Sequence, residues 1–324
     1  MEVVGKLPGI AKLRREIGLE HEEGRRKADL EAELARIFRG QSDKFLLVVG
    51  PCSADCPKAV MEYAAEVTKI ASKAEGKLFV VLRAFTAKPR SFTEGYMGLV
   101  HETDGLRAAR RLHVDVFKTA GLLTADELLY PALYPYFSDV VSYLTVGARS
   151  VENQEHRLVA SGIKVPVGLK NPTNGDVFAM VNAVFAAQRP HNFYFGGKIM
   201  ASGGNPIAHG ILRGGSLPNY SEENLLEVCE MYTKAGIINP SIVIDTNHGN
   251  SGKNHAKQPE IALEIMKMRQ KSPAIHKLVK GLMIESYIEE GNQAADGVAY
   301  GRSVTDPCLS LTATRELIAE LTSF

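Results

Sequence analysis

Short apolar runs alternate along most of the chain with longer stretches in which apolar residues recur at helical spacing. The short runs consist mainly of β-branched or aliphatic residues, a composition typical of buried strands. Eight strands are predicted in this way, at Phe45–Val49, Leu78–Arg83, Val114–Thr119, Val140–Gly147, Val165–Lys170, His209–Arg213, Ile242–Asp245 and Leu282–Glu285.

The stretches between these runs predict helices, for example at Pro57–Lys73 and Glu222–Ala235. Strands that alternate with helices pair in parallel, and about eight such units in a chain of about 250 to 400 residues favour a closed barrel over an open sheet. The predicted fold class is therefore α/β, a (β/α)8 TIM barrel.

Two segments depart from this alternation. Residues 20–40 predict a helix, with Leu30, Leu34 and Ile37 on one stripe and Gly40 as its end. The glycine-rich segment from Asn192 to His209 predicts an inserted loop or hairpin before the sixth strand. We expect an N-terminal extension over residues 1–40 and a catalytic barrel over 41–324.

The composition narrows the class of protein. The chain has 324 residues, 45% of them hydrophobic and 23% charged, which indicates a soluble globular protein. Lysine and arginine total 38 and aspartate and glutamate 37, leaving a net charge of +1. With so little net charge, we expect no nucleic-acid or membrane partner, and any bound anion must meet a local cluster of cations.

The cysteines and the N-terminal segment bear on localisation. Four cysteines in a chain of 324 residues are too few for a disulfide framework. The N-terminal segment lacks the long apolar region of an export signal, and no apolar run reaches the length of a membrane span. We expect a cytoplasmic protein.

The chemistry of a barrel lies at the C-terminal ends of its strands, where two groups of side chains collect. The first group is a thiol, an imidazole and two carboxylates, a mixed donor set that suits Mn²⁺, Fe²⁺, Co²⁺ or Zn²⁺. It comprises Cys52, His248, Glu285 and Asp306.

The second group consists of cations, too many to be buried together without anions. Guanidinium groups bind phosphate and carboxylate through paired hydrogen bonds, so the expected ligand is a phosphorylated, carboxylated small molecule. The group comprises Arg83, Lys88, Arg90, Arg149, Lys170 and Arg213.

Each of these residues, taken singly, has a simpler structural explanation. A lone cysteine is usually a small buried hydrophobe, a lone histidine can bond a loop carbonyl, and arginines at strand ends often pair with carboxylates. Their coincidence on one predicted face favours a site. The glycine pairs in "LRGG" (Leu212 to Gly215) and "FGG" (Phe195 to Gly197) are weak signals of phosphate-binding loops.

Eight motifs resemble one enzyme family in order and sequence. They are "VVGPCSADCP", "LRAFTAKPRS", "VGARSVENQEHR", "VPVGLKNPTNGD", "ILRGGSLPNYS", "IDTNHGNSGKNHAKQ", "MIESYIEEGNQ" and "YGRSVTDPC". From about Leu7 to Leu317 the chain resembles the class I 3-deoxy-D-arabino-heptulosonate 7-phosphate (DAHP) synthases of the bacterial feedback-regulated type.

The resemblance implies a barrel that condenses phosphoenolpyruvate with erythrose 4-phosphate and releases phosphate, in the first step of the shikimate pathway. It implies a divalent metal on Cys52, His248, Glu285 and Asp306. Arg83, Arg149, Lys170 and Arg213 would bind phosphoenolpyruvate, and Lys88, Pro89, Arg90 and Ser91 would bind erythrose 4-phosphate. Lys88 would donate a proton, Asp306 would reach a substrate hydroxyl, and the family suggests a homodimer or homotetramer.

Other interpretations remain open from the sequence. The related octulosonate synthases carry "KANRS" for arabinose 5-phosphate where this chain has "KPRS", which favours erythrose 4-phosphate. A barrel metallohydrolase could use the same metal ligands, although it would not need two anion sites. A silent phosphosugar-binding barrel is a third class, which the full ligand set disfavours.

Two regulatory hypotheses follow from the same comparison. Feedback-regulated relatives have about ten more residues before "KLPGIAKL" and a small polar residue where this chain has Lys164, so we expect altered or absent inhibition by aromatic amino acids. Cys308 lies two residues after Asp306, and we expect it to be close enough to Cys52 to form a disulfide when metal is lost.

Overall fold

The computed structural model describes residues 1–3, 5–74, 76–90 and 95–324. Its strands are β1 (Phe45–Gly50), β2 (Leu78–Arg83), β3 (Leu123–Glu127), β4 (Tyr143–Val146), β5 (Val167–Lys170), β6 (His191–Phe195), β7 (Lys198–Ser202), β8 (His209–Leu212), β9 (Ile242–Asp245) and β10 (Val279–Glu285). Eight of them close a parallel barrel in the order β1-β10-β9-β8-β5-β4-β3-β2, and β6 and β7 form a separate antiparallel hairpin.

The helices surround this barrel. They are α1 (Ile10–Glu16), α2 (His21–Phe38), α3 (Pro57–Ala71), α4 (Gly105–Ala120), α5 (Gln154–Gly162), α6 (Val177–Ala187), α7 (Glu222–Ala235), α8 (His248–Ser251), α9 (Gln258–Lys271), α10 (Pro273–Leu278) and α11 (Leu311–Leu321). None of the helices that the structure describes has the length and apolar character needed to cross a membrane. The predicted (β/α)8 barrel is confirmed.

Strand residues alternate between the inside and the outside of the barrel, as the two-residue period of a strand requires. Leu46 and Val48 of β1 belong to the inner cluster of buried side chains. Leu47 and Val49 belong to the larger outer cluster, which includes the buried faces of the helices. All six residues of β1 are buried, which explains why its sequence is apolar throughout.

The last residues of α2 close the N-terminal end of the barrel. The ring of Phe38 stacks on that of His209 with centroids 4.1 Å apart, and the Ser241 hydroxyl donates to the Phe38 carbonyl at 3.1 Å. His209 donates from Nδ1 to the Ile207 carbonyl at 3.0 Å, so its Nε2 accepts from the Tyr143 hydroxyl at 2.7 Å. Burial lowers the pKa of His209 to about 3, and the imidazole is therefore neutral.

The prediction of a strand at Val114–Thr119 is wrong. This segment lies in α4, where Leu112, Val116 and Ala120 are buried at helical spacing. The helix ends at Gly121, which has a left-handed φ of 69° as its C-cap. The third barrel strand is instead β3, whose sequence is less apolar because it contains two carboxylates.

The other predicted elements are confirmed with small changes in their bounds. Seven predicted strands coincide with barrel strands, the largest change being the shortening of Val140–Gly147 to β4. The helix predicted at Glu222–Ala235 is α7, and the segment after Asn192 forms the hairpin of β6 and β7 before the sixth barrel strand.

Candidate metal and anion site at the barrel mouth

Three of the four predicted metal ligands form one cluster at the C-terminal ends of the barrel strands, and His248 lies beside two of them. The Cys52 sulfur and one carboxylate oxygen each from Glu285 and Asp306 lie within 4.8 Å of one another. His248 Nε2 lies 3.7 Å from Asp306 Oδ2 and 4.0 Å from Glu285 Oε1. Residues separated by more than 250 positions in the sequence therefore surround one small volume.

Local structure orients the imidazole of His248 toward this volume. Its Nδ1 lies 2.9 Å from Asp245 Oδ2, which leaves Nε2 free to face the carboxylates. A carboxylate behind the histidine is a common arrangement in protein metal sites. His248 itself has a left-handed φ of 46°, a strained conformation that is unusual outside functional sites.

The donor set fits a divalent metal. Glu285 is fully buried, and its Oε1 accepts no hydrogen bond of suitable geometry from the described residues, although Arg83 Nη2 lies 2.8 Å away. A buried carboxylate oxygen without a well-aligned donor is a candidate for metal coordination. Burial raises the pKa of the Cys52 thiol, so a metal would bind in exchange for its proton.

All six predicted cations line a cavity of about 490 Å³ beside the four ligands. Pro89 lines it as well, whereas Ser91 lies outside the described residues. The predicted anion pocket and the predicted metal site are therefore adjacent, and Cys52, His248 and Asp306 line the same cavity.

Carboxylates hold two of these cations in place. Arg83 forms a buried ion pair with Glu285, donates to the Pro51 carbonyl and lies over the ring of Phe85. Lys170 Nζ lies 2.9 Å from Asp245 Oδ2. The same carboxylates contact His248, so the anion pocket and the metal ligands form one network.

Two other cations make no ion pair with a carboxylate among the described residues. Arg90 donates from Nε to the Tyr96 carbonyl at 3.0 Å, and Arg213 donates from Nη1 to the Gly214 carbonyl at 3.2 Å. Burial lowers the pKa of Arg213; Asp245 opposes this shift, and the neighbouring Arg149 adds to it. A bound anion would relieve this unfavourable clustering of charge.

Lys88 connects the two parts of the site. Its Nζ donates to the Cys52 carbonyl at 2.9 Å and lies 3.3 Å from the Cys52 sulfur. Burial by itself would lower the pKa of Lys88, but neighbouring acidic groups, Cys52 foremost, raise it above its ordinary value. Lys88 is therefore a charged ammonium group that can donate a proton.

The carboxylates of the site are ionised. Burial by itself would raise the pKa of Asp306, but His248, Lys88 and Lys253 lower it to about 2. His248 and Lys170 likewise hold the pKa of Asp245 well below its usual range despite burial. Negative charge is thus available for a divalent cation at neutral pH.

Sequence reasoning missed three residues of the site. Glu127 ends β3 and lines the cavity, and its Oε1 is buried without a hydrogen-bond partner among the described residues. Asp245 contacts both His248 and Lys170, and the Asn247 side chain donates to Glu285 at 2.5 Å. Glu127 was missed because the third strand was misplaced. Asp245 and Asn247 were missed because only the histidine of "IDTNH" was predicted to belong to the site.

The two glycine motifs differ in their relation to the site. In "LRGG", Gly214 has a φ of 72°, and its backbone packs so closely against that of Gly249 that a Cβ would not fit. Gly215 and Gly249 line the cavity. In "FGG", Gly196 and Gly197 form the turn between β6 and β7, outside that lining, and a phosphate-binding role for this turn stays a prediction.

The arrangement of Cys308 is consistent with its predicted closeness to Cys52. Both cysteines are buried and free, and the Cys308 sulfur lies 3.4 Å from the Cys52 amide nitrogen. The formation of a disulfide between them stays a prediction.

Comparison with known proteins identifies the family. Residues 20–319 match the model of the DAHP synthetase I family. The chain is 36% identical to the Tyr-sensitive phospho-2-dehydro-3-deoxyheptonate aldolase of Escherichia coli K12 over 312 residues, covering 91% of this chain and 86% of the relative. It is 37% identical to the Phe-sensitive enzyme of the same strain over 303 residues, 88% of this chain and 85% of the relative.

A solved structure agrees over the whole chain. The phospho-2-dehydro-3-deoxyheptonate aldolase of Francisella tularensis SCHU S4 matches with a TM-score of 0.93 and 34% identity, covering 100% of this chain and 98% of that chain. The family resemblance of the eight motifs is confirmed, and the chain belongs to the DAHP synthetase I family.

Proposed function

We propose that this protein is a transferase that condenses phosphoenolpyruvate with erythrose 4-phosphate to give DAHP and inorganic phosphate. The family match and relatives named phospho-2-dehydro-3-deoxyheptonate aldolase support this proposal. The observation that carries it is the contact between a four-residue metal-ligand set and a pocket with six cations. The reaction is the first step of the shikimate pathway.

Cys52, His248, Glu285 and Asp306 would hold the divalent metal. When bound, such an ion supplies Lewis-acid polarisation of the aldehyde carbonyl. Mn²⁺, Fe²⁺, Co²⁺ and Zn²⁺ all suit this mixed donor set, and availability in the cell would select among them.

The cationic pocket would bind phosphoenolpyruvate. Arg213 makes no ion pair with a described carboxylate, and together with Arg149 it is suited to the substrate's phosphate and carboxylate. Lys170 would contribute a point charge while Asp245 holds it in place. Arg83 is more deeply embedded, and we assign it the additional role of positioning Glu285.

The second substrate would lie against Lys88, Pro89, Arg90 and Ser91. Arg90 and Ser91 would bind the phosphate of erythrose 4-phosphate, and Asp306 would accept from a substrate hydroxyl. Lys88 would donate its proton to the alkoxide that forms when the new carbon–carbon bond is made. Its raised pKa keeps the proton available at neutral pH.

Water must then attack C2 of the intermediate before phosphate departs. Glu127 is a candidate for orienting this water, because it lines the pocket and has a buried carboxylate oxygen without a hydrogen-bond partner among the described residues. His248 and Asp306 are less suited to orienting this water, because both would be occupied as metal ligands.

The decisive experiment measures phosphate release from phosphoenolpyruvate with erythrose 4-phosphate or with arabinose 5-phosphate, each with and without a chelator. We expect chelator-sensitive release with erythrose 4-phosphate. Faster release with arabinose 5-phosphate would favour the octulosonate synthase reaction. Phosphate release from phosphoenolpyruvate alone would favour a metallohydrolase.

The sequence supports further expectations about this enzyme. Residues 1–40 would form an extension, and residues 41–324 the catalytic barrel. A homodimer or homotetramer, a cytoplasmic location and altered feedback inhibition stay predictions. Assays with each aromatic amino acid test the last of these, and strong inhibition by one of them would contradict it.

A further inference from the structure

A second cavity, of about 470 Å³, lies at the N-terminal end of the barrel. Its walls come from the end of α2 and the turn before β1, from the residues before β9, from α9 and α10, and from the start of β10. β10 has seven residues, so the two ends of that strand are about 20 Å apart. Among the described residues, none lines both this cavity and the pocket at the mouth.

Cations dominate the lining of this second cavity. Asp43 is the one carboxylate among the described residues that line it. Five cationic side chains line the same cavity, and none of them forms a salt bridge among the described residues. These five are Arg39, Lys44, Arg269, Lys277 and Lys280.

Arg269 is held in the wall of the cavity, and no described carboxylate forms an ion pair with it. Its Nε donates to the Val279 carbonyl at 3.0 Å, and its guanidinium carbon lies 4.2 Å from the centroid of the Phe45 ring. Burial lowers its pKa to about 10. These contacts hold the plane of the guanidinium group, and its Nη2 has no hydrogen-bond partner among the described residues.

Neighbouring charges repel one another in the same wall. Burial lowers the pKa of Lys280, and Arg269 and Lys277 lower it further. Burial also lowers the pKa of His276, again with contributions from Arg269 and Lys280. Asp43 opposes both shifts only in part, so a bound anion would relieve the repulsion.

We propose that this second cavity is a binding site for a small organic phosphate. Its cations come from several segments and converge on one concavity, and a phosphate ester offers about two negative charges and three acceptor oxygens to such a cluster. The volume lies within the range of small-molecule sites and exceeds what a lone phosphate ion needs.

A nucleic acid fits these features less well. The cations line a cavity rather than an extended stripe, and the net charge of the chain is only +1. The proposal is independent of the reaction at the mouth, because the two cavities have no described lining residue in common.

The test uses inorganic pyrophosphate as the probe in isothermal titration calorimetry. All proteins carry Arg213→Ala to weaken anion binding at the mouth, and Lys280→Met is compared with Lys234→Met. Lys234 is an exposed lysine of α7 that lies 3.7 Å from Glu230 and is not among the described residues that line either cavity. We expect Lys280→Met to weaken pyrophosphate binding at least about tenfold and Lys234→Met to leave it unchanged.

Residual binding at the mouth would be insensitive to Lys280→Met, so the difference between the two variants reports on the second cavity alone. Equal affinity of the two variants for pyrophosphate would overturn the proposal, whether that affinity is unchanged or reduced relative to Arg213→Ala alone.

Thermal unfolding distinguishes an effect of Lys280→Met on pyrophosphate binding from an effect on folding. Because Lys280 is a partly buried cation without an ion pair among the described residues, we expect Lys280→Met without pyrophosphate to unfold at the same or a higher temperature than the parent. We also expect pyrophosphate to raise the unfolding temperature of Lys280→Met less than it raises that of the parent. A lower midpoint together with an unchanged pyrophosphate shift would contradict the proposal. Lys277→Gln, at an exposed position, should show the same pattern with a smaller change.

Discussion

The two ends of the barrel differ in how many of their cationic side chains are paired with carboxylates. At the mouth, Arg83 pairs with Glu285 and Lys170 with Asp245, and both carboxylates also contact His248. At the N-terminal end, the cations around Arg269 and Lys280 have no carboxylate partner among the described residues. Part of the mouth is therefore preorganised by its own network, whereas the cations of the second cavity resemble Arg90 and Arg213 in having no ion pair among the described residues, and a bound anion would stabilise them.

This difference also separates two kinds of structural requirement. A cation that belongs to a buried network supports the fold, and removing it exposes the remaining partner as an unpaired charge. A cation without a partner contributes little or unfavourably to the fold. The predictions below test this contrast, beginning with the largest expected effect.

The largest effect is expected from Cys52→Ser. Because Cys52 would supply the sulfur donor of the proposed metal site, its replacement should have a larger effect than the roughly 10- to 100-fold losses caused by outer-sphere changes, and should lower activity about 10³-fold. Phosphate release and bound metal per chain are the measurements. Cys56→Ser, just before α3 and outside the pocket lining, is the control. Equal metal content in the two variants would contradict the assigned ligand set.

The next effect compares Arg83→Met with Arg213→Met in urea unfolding. Arg83→Met should lower the free energy of unfolding by about 3 kcal/mol or more, since it leaves Glu285 buried without its counter-charge. Arg213→Met should change it by less than about 1 kcal/mol, because Arg213 has no ion pair among the described residues. Similar losses in both variants would contradict the contrast between paired and unpaired cations.

His209 should make stability depend on pH at the N-terminal end. Its folded-state pKa of about 3 lies below its unfolded value, so its contribution is present above pH 6.5 and is lost as pH falls toward 3. Between pH 7 and pH 4 the loss should be roughly 3 kcal/mol. His209→Gln should show a correspondingly flatter dependence in urea unfolding. Parallel curves for the two proteins would contradict this account.

A smaller effect is expected from Glu127→Gln. If Glu127 orients the attacking water, kcat should fall about 10- to 100-fold while the KM for phosphoenolpyruvate and the thermal midpoint change little. Glu155→Gln, an exposed position in the first turn of α5, is the matched control. A rise in KM without a fall in kcat would assign Glu127 to substrate binding instead.

The smallest effect is expected from Lys253→Met. Lys253 donates to Asp306 Oδ1 at 3.0 Å, but its side chain is 61% exposed. Exposed ion pairs contribute little, so the free energy of unfolding should change by less than about 1 kcal/mol. A few-fold loss of metal affinity is the expected functional change, measured by chelator competition. A loss of metal affinity as large as that caused by Cys52→Ser would mean that Lys253 orders the whole loop that carries Asp306.

The ends of the barrel strands explain why so much of the mouth could be predicted from sequence. Cys52 follows an unbroken apolar strand, and Glu285 ends another, so their common location follows from parallel pairing alone. The family motifs added the roles of Arg149 and Arg213. Pairing partners could not be predicted in the same way, since Asp245 has no motif signal distinct from its strand.

The error in the third strand had a physical cause. In "VDVFKTA", valines alternate with a polar residue over a few positions, which resembles a strand although the wider spacing is helical. Glu127 was lost with that assignment. The second cavity was also beyond sequence reasoning, because its cations come from segments that meet only when the barrel closes.

Asp245 lies between the two parts of the site at the mouth. One carboxylate group faces both a predicted metal ligand and a predicted substrate cation, His248 and Lys170. Occupancy of either half therefore changes the electrostatic work of filling the other, and by thermodynamic reciprocity the influence must be equal in both directions. The affinities of the proposed metal site and of the proposed anion pocket would thereby be coupled through a single buried side chain.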